Sequence, residues 1–393
     1  MVSRRVFLAG TLTAASAARV RGANDRIRMG VIGTGGRGAY HTANLAKRAD
    51  VEVVSVCDVY SVRSQAACEQ AGVRAEAVQD YRRLIERKDI DAVVIAVPDH
   101  WHTPILLDAL AAGKDAFLEK PMTFAIDEGH AIARAVRETR RVVQIGTQQK
   151  SGPHFIEAKQ RFIDSGQIGK VSLVRTWWIA NRGYLRRPPA AFCYNSQELD
   201  WNRFLGSAPR RPFEAQRYFG WYAYRDYSTG QPGGLLVHTA DVAHFFLNLS
   251  APLAVVASGG IFEFPDDRET PDTISILAEY PQRVVVTFDA TQSSVRDAVD
   301  CEFHGSGGVL NIFRYGYTFR PAEKGAPLIE AKGQPCDPAH MQNFLEAMRS
   351  RRQPNADVVY SHYLAMVCHM GNRAYETKSR VVWQPEWDEA ALA

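Results

Sequence analysis

Ile27-Arg28-Met29-Gly30-Val31-Ile32 reads as a buried strand and runs directly into Gly33-Thr34-Gly35-Gly36-Arg37-Gly38. A helical stretch comes next, to about Arg48. In a strand–turn–helix setting, each glycine of G-x-G-x-x-G has a separate physical task. The first permits the tight turn, the second lets backbone approach a pyrophosphate, and the third lets the helix pack closely on the strand. The helix start then offers free N–H groups and a positive dipole end to the phosphates. The motif alone is common, but a second strand and an acid at the right spacing add weight to it. Residues 51–57 read as that strand, ending at Asp58, which lies 20 residues past Gly38. A carboxylate there accepts hydrogen bonds from the adenosine ribose and repels a 2′-phosphate, so NAD is favoured over NADP.

The alternation continues with strands over 92–97, 115–118 and 142–145 and helices over 103–112 and 125–139. Alternating β and α implies an α/β fold built on a Rossmann doubly wound parallel sheet. Ligands of such sheets sit at the carboxyl ends of the strands. Three segments fall there: Pro98-Asp99-His100-Trp101-His102, Glu119-Lys120-Pro121 and Gly146-Thr147-Gln148-Gln149.

Charge is informative through its placement. The 393-residue chain has 47 Lys and Arg against 43 Asp and Glu, a formal net charge of +4. Residues 1–23 hold Arg4, Arg5, Arg19 and Arg21 and no acid, so the remainder is neutral. Nothing in it suggests a nucleic-acid footprint, which needs clustered positive charge. Ser3-Arg4-Arg5-Val6-Phe7-Leu8, a diluted apolar run and Ala15-Ser16-Ala17 read as a twin-arginine export signal. A periplasmic or otherwise exported enzyme that carries its cofactor through export is the expectation. No run of 18 apolar residues suggests an integral membrane span. The six cysteines show no C-x-x-C, so they form no zinc pattern, and no metal is expected.

Beyond residue 148, stretches 171–179, 253–259, 273–279 and 283–288 are β-rich, with 300–304 a further candidate. The short turn Tyr280-Pro281-Gln282 makes one pair antiparallel. Residues 338–351 read as a helix with Asp337 as its N-cap and Pro338 first inside it, and 362–377 as another. Both are expected to brace the first domain. The domain reading is 1–23 signal segment, 24–148 cofactor domain and 149–393 second domain. In Gly233-Gly234-Leu235-Leu236-Val237-His238-Thr239-Ala240-Asp241 a helical period puts His238, Asp241 and Phe245 near one face, so Asp241 can fix the tautomer of His238.

Together these residues resemble the glucose–fructose oxidoreductase / inositol dehydrogenase / MocA (Gfo/Idh/MocA) family, over roughly 26–385. The carrying features are Gly33–Gly38, the P-D-x-x-H of Pro98 to His102, Glu119-Lys120-Pro121 and His238-Thr239-Ala240-Asp241. The resemblance implies an α+β second domain with a large, open, mainly antiparallel sheet, often cis geometry at Pro121, and a homo-oligomer, dimer or tetramer. It implies cofactor contacts at Gly33, Thr34, Gly35, Gly36, Arg37, Gly38, Asp58, Pro98, His102, Glu119, Lys120 and Gln148. Catalysis would fall on Lys120, His238 and Asp241, with a carbohydrate as substrate. Many sugar and inositol dehydrogenases of the family carry an Asp where this chain has Gly234, and Asp226 is a candidate replacement. His100 and Trp101 are candidates for substrate contact or for packing. The aromatics Trp177, Trp178, Tyr184, Trp201, Tyr218, Phe219, Trp221, Tyr222, Tyr224 and Tyr227 suit sugar stacking or a core equally. An exported cofactor enzyme is also compatible with redox-neutral glycoside cleavage through transient oxidation. A non-catalytic sugar-binding protein is the reading from a different class.

Overall fold

The computed structural model describes residues 26–72, 74–180 and 188–388. The export segment and Tyr184 lie outside the described residues. Strands β1 (Ile27–Ile32), β2 (Val51–Cys57), β3 (Glu76–Val78), β4 (Ala92–Ile95), β5 (Asp115–Leu118) and β6 (Val143–Ile145) form one sheet. Its order is 3-2-1-4-5-6 and every pair is parallel. This is the expected doubly wound sheet. Its central strands are buried on both faces, which is why they read as unbroken apolar runs. Helices α1 (Gly36–Ala46), α2 (Ser61–Ala71), α3 (His102–Ala111) and α4 (Glu128–Thr139) connect or cover it. The strand expected to reach 97 stops at Ile95, just before Pro98 opens a one-turn helix. Helix α4 starts later than its period suggests. The Glu128 carboxylate accepts from the N–H groups of Phe124 and Ala125 and holds the entry as a turn.

The second sheet has nine strands: β7 (Val171–Ile179), β8 (Ala254–Gly260), β9 (Thr273–Tyr280), β10 (Val284–Thr291), β11 (Ala298–Gly305), β12 (Gly308–Phe313), β13 (Gly316–Pro321), β14 (Ile329–Lys332) and β15 (Val381–Val382). Their order is 14-13-12-11-7-10-9-8-15. β7 and β10 are parallel, and the other described pairs are antiparallel. The β9–β10 hairpin sets Val284 opposite Tyr280, as its short turn implied. Side chains alternate between buried and more exposed along β9 and β10, so one face carries the core. Helix α5 (Val237–Leu247) lies on that face.

Two C-terminal helices fasten this sheet to the first. On α6 (Asp337–Ser350), Met341, Phe344, Leu345 and Met348 pack with Met29, Val31, Val53 and Phe117. The longer α7 (Val358–Thr377) serves two cores. Val358 and Ala365 join the first sheet's cluster, while Leu364, Val367, Cys368 and Met370 join the second's. Asp357 caps α7 by accepting from Val359 N and Tyr360 N. Asp337, expected as the N-cap of α6, is instead its first helical residue, and its carboxylate is taken by Arg37. No described helix is long and apolar enough to cross a membrane, and the six cysteines are unpaired.

Buried histidines staple these layers. His340 Nδ1 lies 2.8 Å from Ser151 Oγ, His369 Nε2 2.9 Å from Thr123 Oγ1, and His244 Nε2 2.8 Å from Tyr280 Oη. Burial pushes His340 and His369 down to about 4 and His244 down to about 3 from an ordinary 6.5. The unfolded chain therefore binds more protons than the folded one once pH drops below about 6.5. The stability these groups contribute is complete above that value and is lost on acidification. Each costs on the order of 2 kcal/mol at pH 5. Asp241, raised by burial to about 6, acts with the opposite sign but is a single group. The urea midpoint is expected to fall markedly between pH 7 and pH 5. An unchanged midpoint would show that these rings are protonated in the fold.

Candidate active site

The site forms where the parallel sheet's carboxyl ends meet the segment before α5. Gly33 sits at φ +83°, and a Cβ there would lie 2.4 Å from Ala96 O. A Cβ on Gly38 would lie 1.7 Å from Gly33 O, so α1 packs on the strand as close as backbone allows. Gly35 differs: the nearest atom to a Cβ there is Arg63 Nη1, at 3.6 Å. The loop thus leaves space above the second glycine. Helix α1 begins at Gly36 with no side-chain cap, so its first N–H groups remain available to an anion. These features fit a dinucleotide pyrophosphate.

Asp58 is buried at the end of β2. It accepts from Thr34 N at 2.8 Å, Thr34 Oγ1 at 3.3 Å and Tyr60 N at 2.9 Å. Thr34 therefore orients Asp58 and does not itself face the cavity. Arg37 reaches across the opening. It donates to Glu119 at 2.5 Å and pairs with Asp337, linking the glycine loop to β5 and to α6. His41 Nε2 lies 2.7 Å from the same Glu119 oxygen. Burial alone would raise the Glu119 carboxyl, but Arg37 and His41 hold it well below the usual range. Glu119 is thus ionised and structural.

Lys120, next in sequence, points the other way. Its Nζ donates to Gly234 O at 3.0 Å, and the Lys120–Pro121 peptide is cis. Burial lowers its affinity for a proton, against the opposing carboxylates of Glu119 and Asp99. His238 opens α5 in the same cavity, its ring centroid 5.8 Å from Trp178. Its Nδ1 has no hydrogen-bond partner among the described residues. Burial, then the positive charges of Lys120 and Arg314, keep it well below 6.5. His238 is therefore a neutral imidazole at neutral pH, able to accept a proton.

One cavity of about 480 Å³ brings together Gly33, Gly35, Gly36, Arg37, Asp58, Pro98, Glu119, Lys120, Gln148 and His238. That volume suits a ligand site. Gly38 and Thr34 stand behind its wall. His102 also does: its ring nitrogens lie 2.6 Å from Pro121 O and 3.0 Å from Val97 O, tying the β4 end to the Lys120 turn. It acts on a cofactor only through that turn.

Two expectations require correction. Asp241 does not hydrogen-bond His238. Three residues turn a helix by most of a revolution, leaving the two side chains about 60° apart. Asp241 faces α7, where Tyr360 Oη donates to it at 2.8 Å and Lys150 supplies positive charge. Asp226 is no substitute carboxylate, because Arg211 at 2.6 Å and Arg217 at 3.3 Å bind it away from the cavity. Of the two readings left open for His100 and Trp101, packing holds for His100; its Nε2 and the Trp101 Nε1 both lie 2.9 Å from Phe204 O, and Trp101 also lines the cavity. The aromatic group divides. Trp201, Tyr224 and Tyr227 belong to a buried aromatic cluster and do not line the cavity, Tyr218 belongs to both, and Phe219, Trp221 and Tyr222 wall the cavity.

Sequence reasoning missed Arg63 and Arg314. Arg63 lies five residues past Asp58, near the start of α2, a position that could have been flagged. It stacks over Tyr218 and hydrogen-bonds its hydroxyl at 3.1 Å. Arg314 arrives from the β12–β13 turn, and nothing local in the chain announces it.

Comparison with known proteins agrees with the two-sheet fold. A family profile described as an oxidoreductase family with an NAD-binding Rossmann fold matches residues 27–147, and the Gfo/Idh/MocA C-terminal domain profile matches 203–311. Inositol 2-dehydrogenase of Rubrobacter xylanophilus is 35% identical over 160 residues, 40% of this chain and 45% of that one. The scyllo-inositol 2-dehydrogenase (NAD(+)) of Bacillus subtilis is 32% identical over 175 residues, 44% of this chain and 48% of that one. The chain thus spans about half the length of these curated relatives. A levoglucosan dehydrogenase solved with NADH and levoglucosan superposes with a TM-score of 0.74 at 17% identity, over 91% of this chain and 99% of that one. The two profiles together span more than half of the chain, and on that ground it belongs to the Gfo/Idh/MocA oxidoreductase family, with that family's NAD-binding Rossmann domain.

Proposed function

We propose that this chain is an exported, NAD-dependent enzyme that oxidises a hydroxyl of a sugar or polyol. The observation that carries the reading is the convergence of Lys120 and His238 in the cavity that the glycine loop and Asp58 share. Oxidising an alcohol needs a hydride acceptor, a base for the hydroxyl proton and positive charge for the growing alkoxide. Bound nicotinamide would supply the first. His238, kept neutral by burial and nearby cations, takes the proton. Lys120, held by Gly234 O, faces the same oxygen. The inositol dehydrogenases among its relatives suggest the polyol class. Asp58, buried at the β2 end, favours NAD over NADP.

The twin-arginine segment supports a second reading. An exported enzyme has no ready supply of free NAD, which favours a cycle that regenerates its own cofactor. Transient oxidation, then elimination and rehydration, would cleave a glycoside with no net redox change.

The test is to incubate purified protein with inositols, anhydrosugars and aryl glycosides, without added cofactor and then with NAD or NADP. Reduced nicotinamide or a ketone product with a polyol is the expected result. Released aglycone without added cofactor would favour the second reading. Absence of bound nicotinamide, with no binding of either added dinucleotide, would overturn both.

A further inference from the structure

Gly234 lies in a wide helical turn, Pro232–Leu236, directly before α5. Glycine is a destabilising choice inside a helical turn unless something demands it. Here the demand is visible. A Cβ on Gly234 would fall 1.5 Å from the Tyr222 hydroxyl oxygen and 2.3 Å from Cζ of the same ring. The phenol therefore occupies the space where any other residue at 234 would place its side chain. The carbonyl of this same Gly234 accepts the hydrogen bond from Lys120 Nζ, at 3.0 Å. One helical turn further on stands His238, and all three side chains line the same cavity.

The approach is firmly built. Tyr222 lies in the one-turn helix Trp221–Ala223. The Ala223 carbonyl accepts backbone N–H groups from Glu269 at 2.8 Å and Thr270 at 3.1 Å. Tyr224, two residues on, is fully buried with Arg217 over its ring. The ring is thus delivered from a fixed backbone, as a preorganised donor requires.

We propose that Tyr222 is a further catalytic residue, whose hydroxyl donates to the reacting substrate oxygen beside Lys120 while the substrate proton passes to His238. The phenol O–H holds the oxygen as it gains charge and keeps its own proton. Gly234 is the condition for this, because only a residue without Cβ lets that oxygen in. The inference rests on the oxidoreductase reading above.

The experiment measures turnover on the best polyol or glycoside of the panel, with bound nicotinamide quantified in each variant. Tyr222→Phe is expected to lower kcat by roughly 10²-fold, with KM and bound nicotinamide unchanged. Gly234→Ala is expected to cause a similar loss by pushing the ring aside. In a Tyr222→Ala background the added Gly234→Ala should cost little more. Full kcat in Tyr222→Phe would overturn the proposal. So would an undiminished Gly234→Ala penalty in the Tyr222→Ala background. Lys120→Ala in parallel separates the two readings. If it turns over like the parent, or the parent acts on no panel member, the oxidoreductase reading fails and this one with it. If Lys120→Ala is inactive while Tyr222→Phe is not, only the role of Tyr222 is lost.

Discussion

Lys120→Ala is expected to lower turnover by roughly 10³-fold while bound nicotinamide is retained. The ammonium is held by a backbone carbonyl, with no carboxylate among the described residues within ion-pairing distance to neutralise it. Glu119, which could have paired with it, is already committed to Arg37 and His41. The charge is therefore free to act on an oxygen brought into the cavity. Removing it leaves the fold's ion pairs intact, so the loss should appear in kcat and leave the melting temperature nearly unchanged. His238→Ala should cost on the order of 10²–10⁴-fold by removing the base. The double variant should be little worse than the worse single one, since the two groups serve one event. Single-turnover reduction of the bound nicotinamide measures all three. Equal rates in parent and Lys120→Ala would refute the assignment.

The second large effect is at the glycine loop, where two alanines should behave differently. In Gly38→Ala the methyl meets Gly33 O at 1.7 Å, a contact between backbone atoms that no rotamer can relieve. Helix α1 must lift from the sheet, costing about 3 kcal/mol, and the loop must lose its shape. Both stability and stoichiometric nicotinamide should be lost. In Gly35→Ala the methyl meets only Arg63 Nη1, at 3.6 Å. Stability should hold, yet cofactor content should fall, because that methyl occupies the approach to the pyrophosphate. Calorimetry with cofactor quantification on both variants decides the matter. Destabilisation by both, or by neither, would mean that this loop does not cradle a dinucleotide.

The parallel sheet was the most legible part of the molecule. Its central strands are buried on both faces, so their apolar runs, such as 116–118, mark the ends closely, whereas the three-residue edge strand β3, mostly outside the core, was not legible. Strands β12 to β15 were not legible: β14 and β15 are short edge strands with a weak apolar signal, and β12 and β13 are only six residues each with one face buried. Lys120 and His238 were readable from motifs whose geometry is local. The partner of Asp241 was not, because α7 brings Tyr360 from 119 residues away. Helical spacing says which residues share a face, and it does not name the groups opposite them. Asp337 shows the same limit. Its position near a helix start suggested a cap, but an arginine 300 residues earlier claims it. Tyr222 was visible only as one aromatic among ten. Its closeness to Gly234 depends on two chain segments meeting, which no local pattern encodes.

Helix α7 places apolar side chains in the cores of both sheets. Rotating one body against the other would expose those side chains to water, so hinge closure is opposed by the hydrophobic effect itself. The gap between the glycine loop and α5 is thus set before any ligand arrives. Recognition then becomes shape fit to a fixed slot, with little reorganisation to spend on binding.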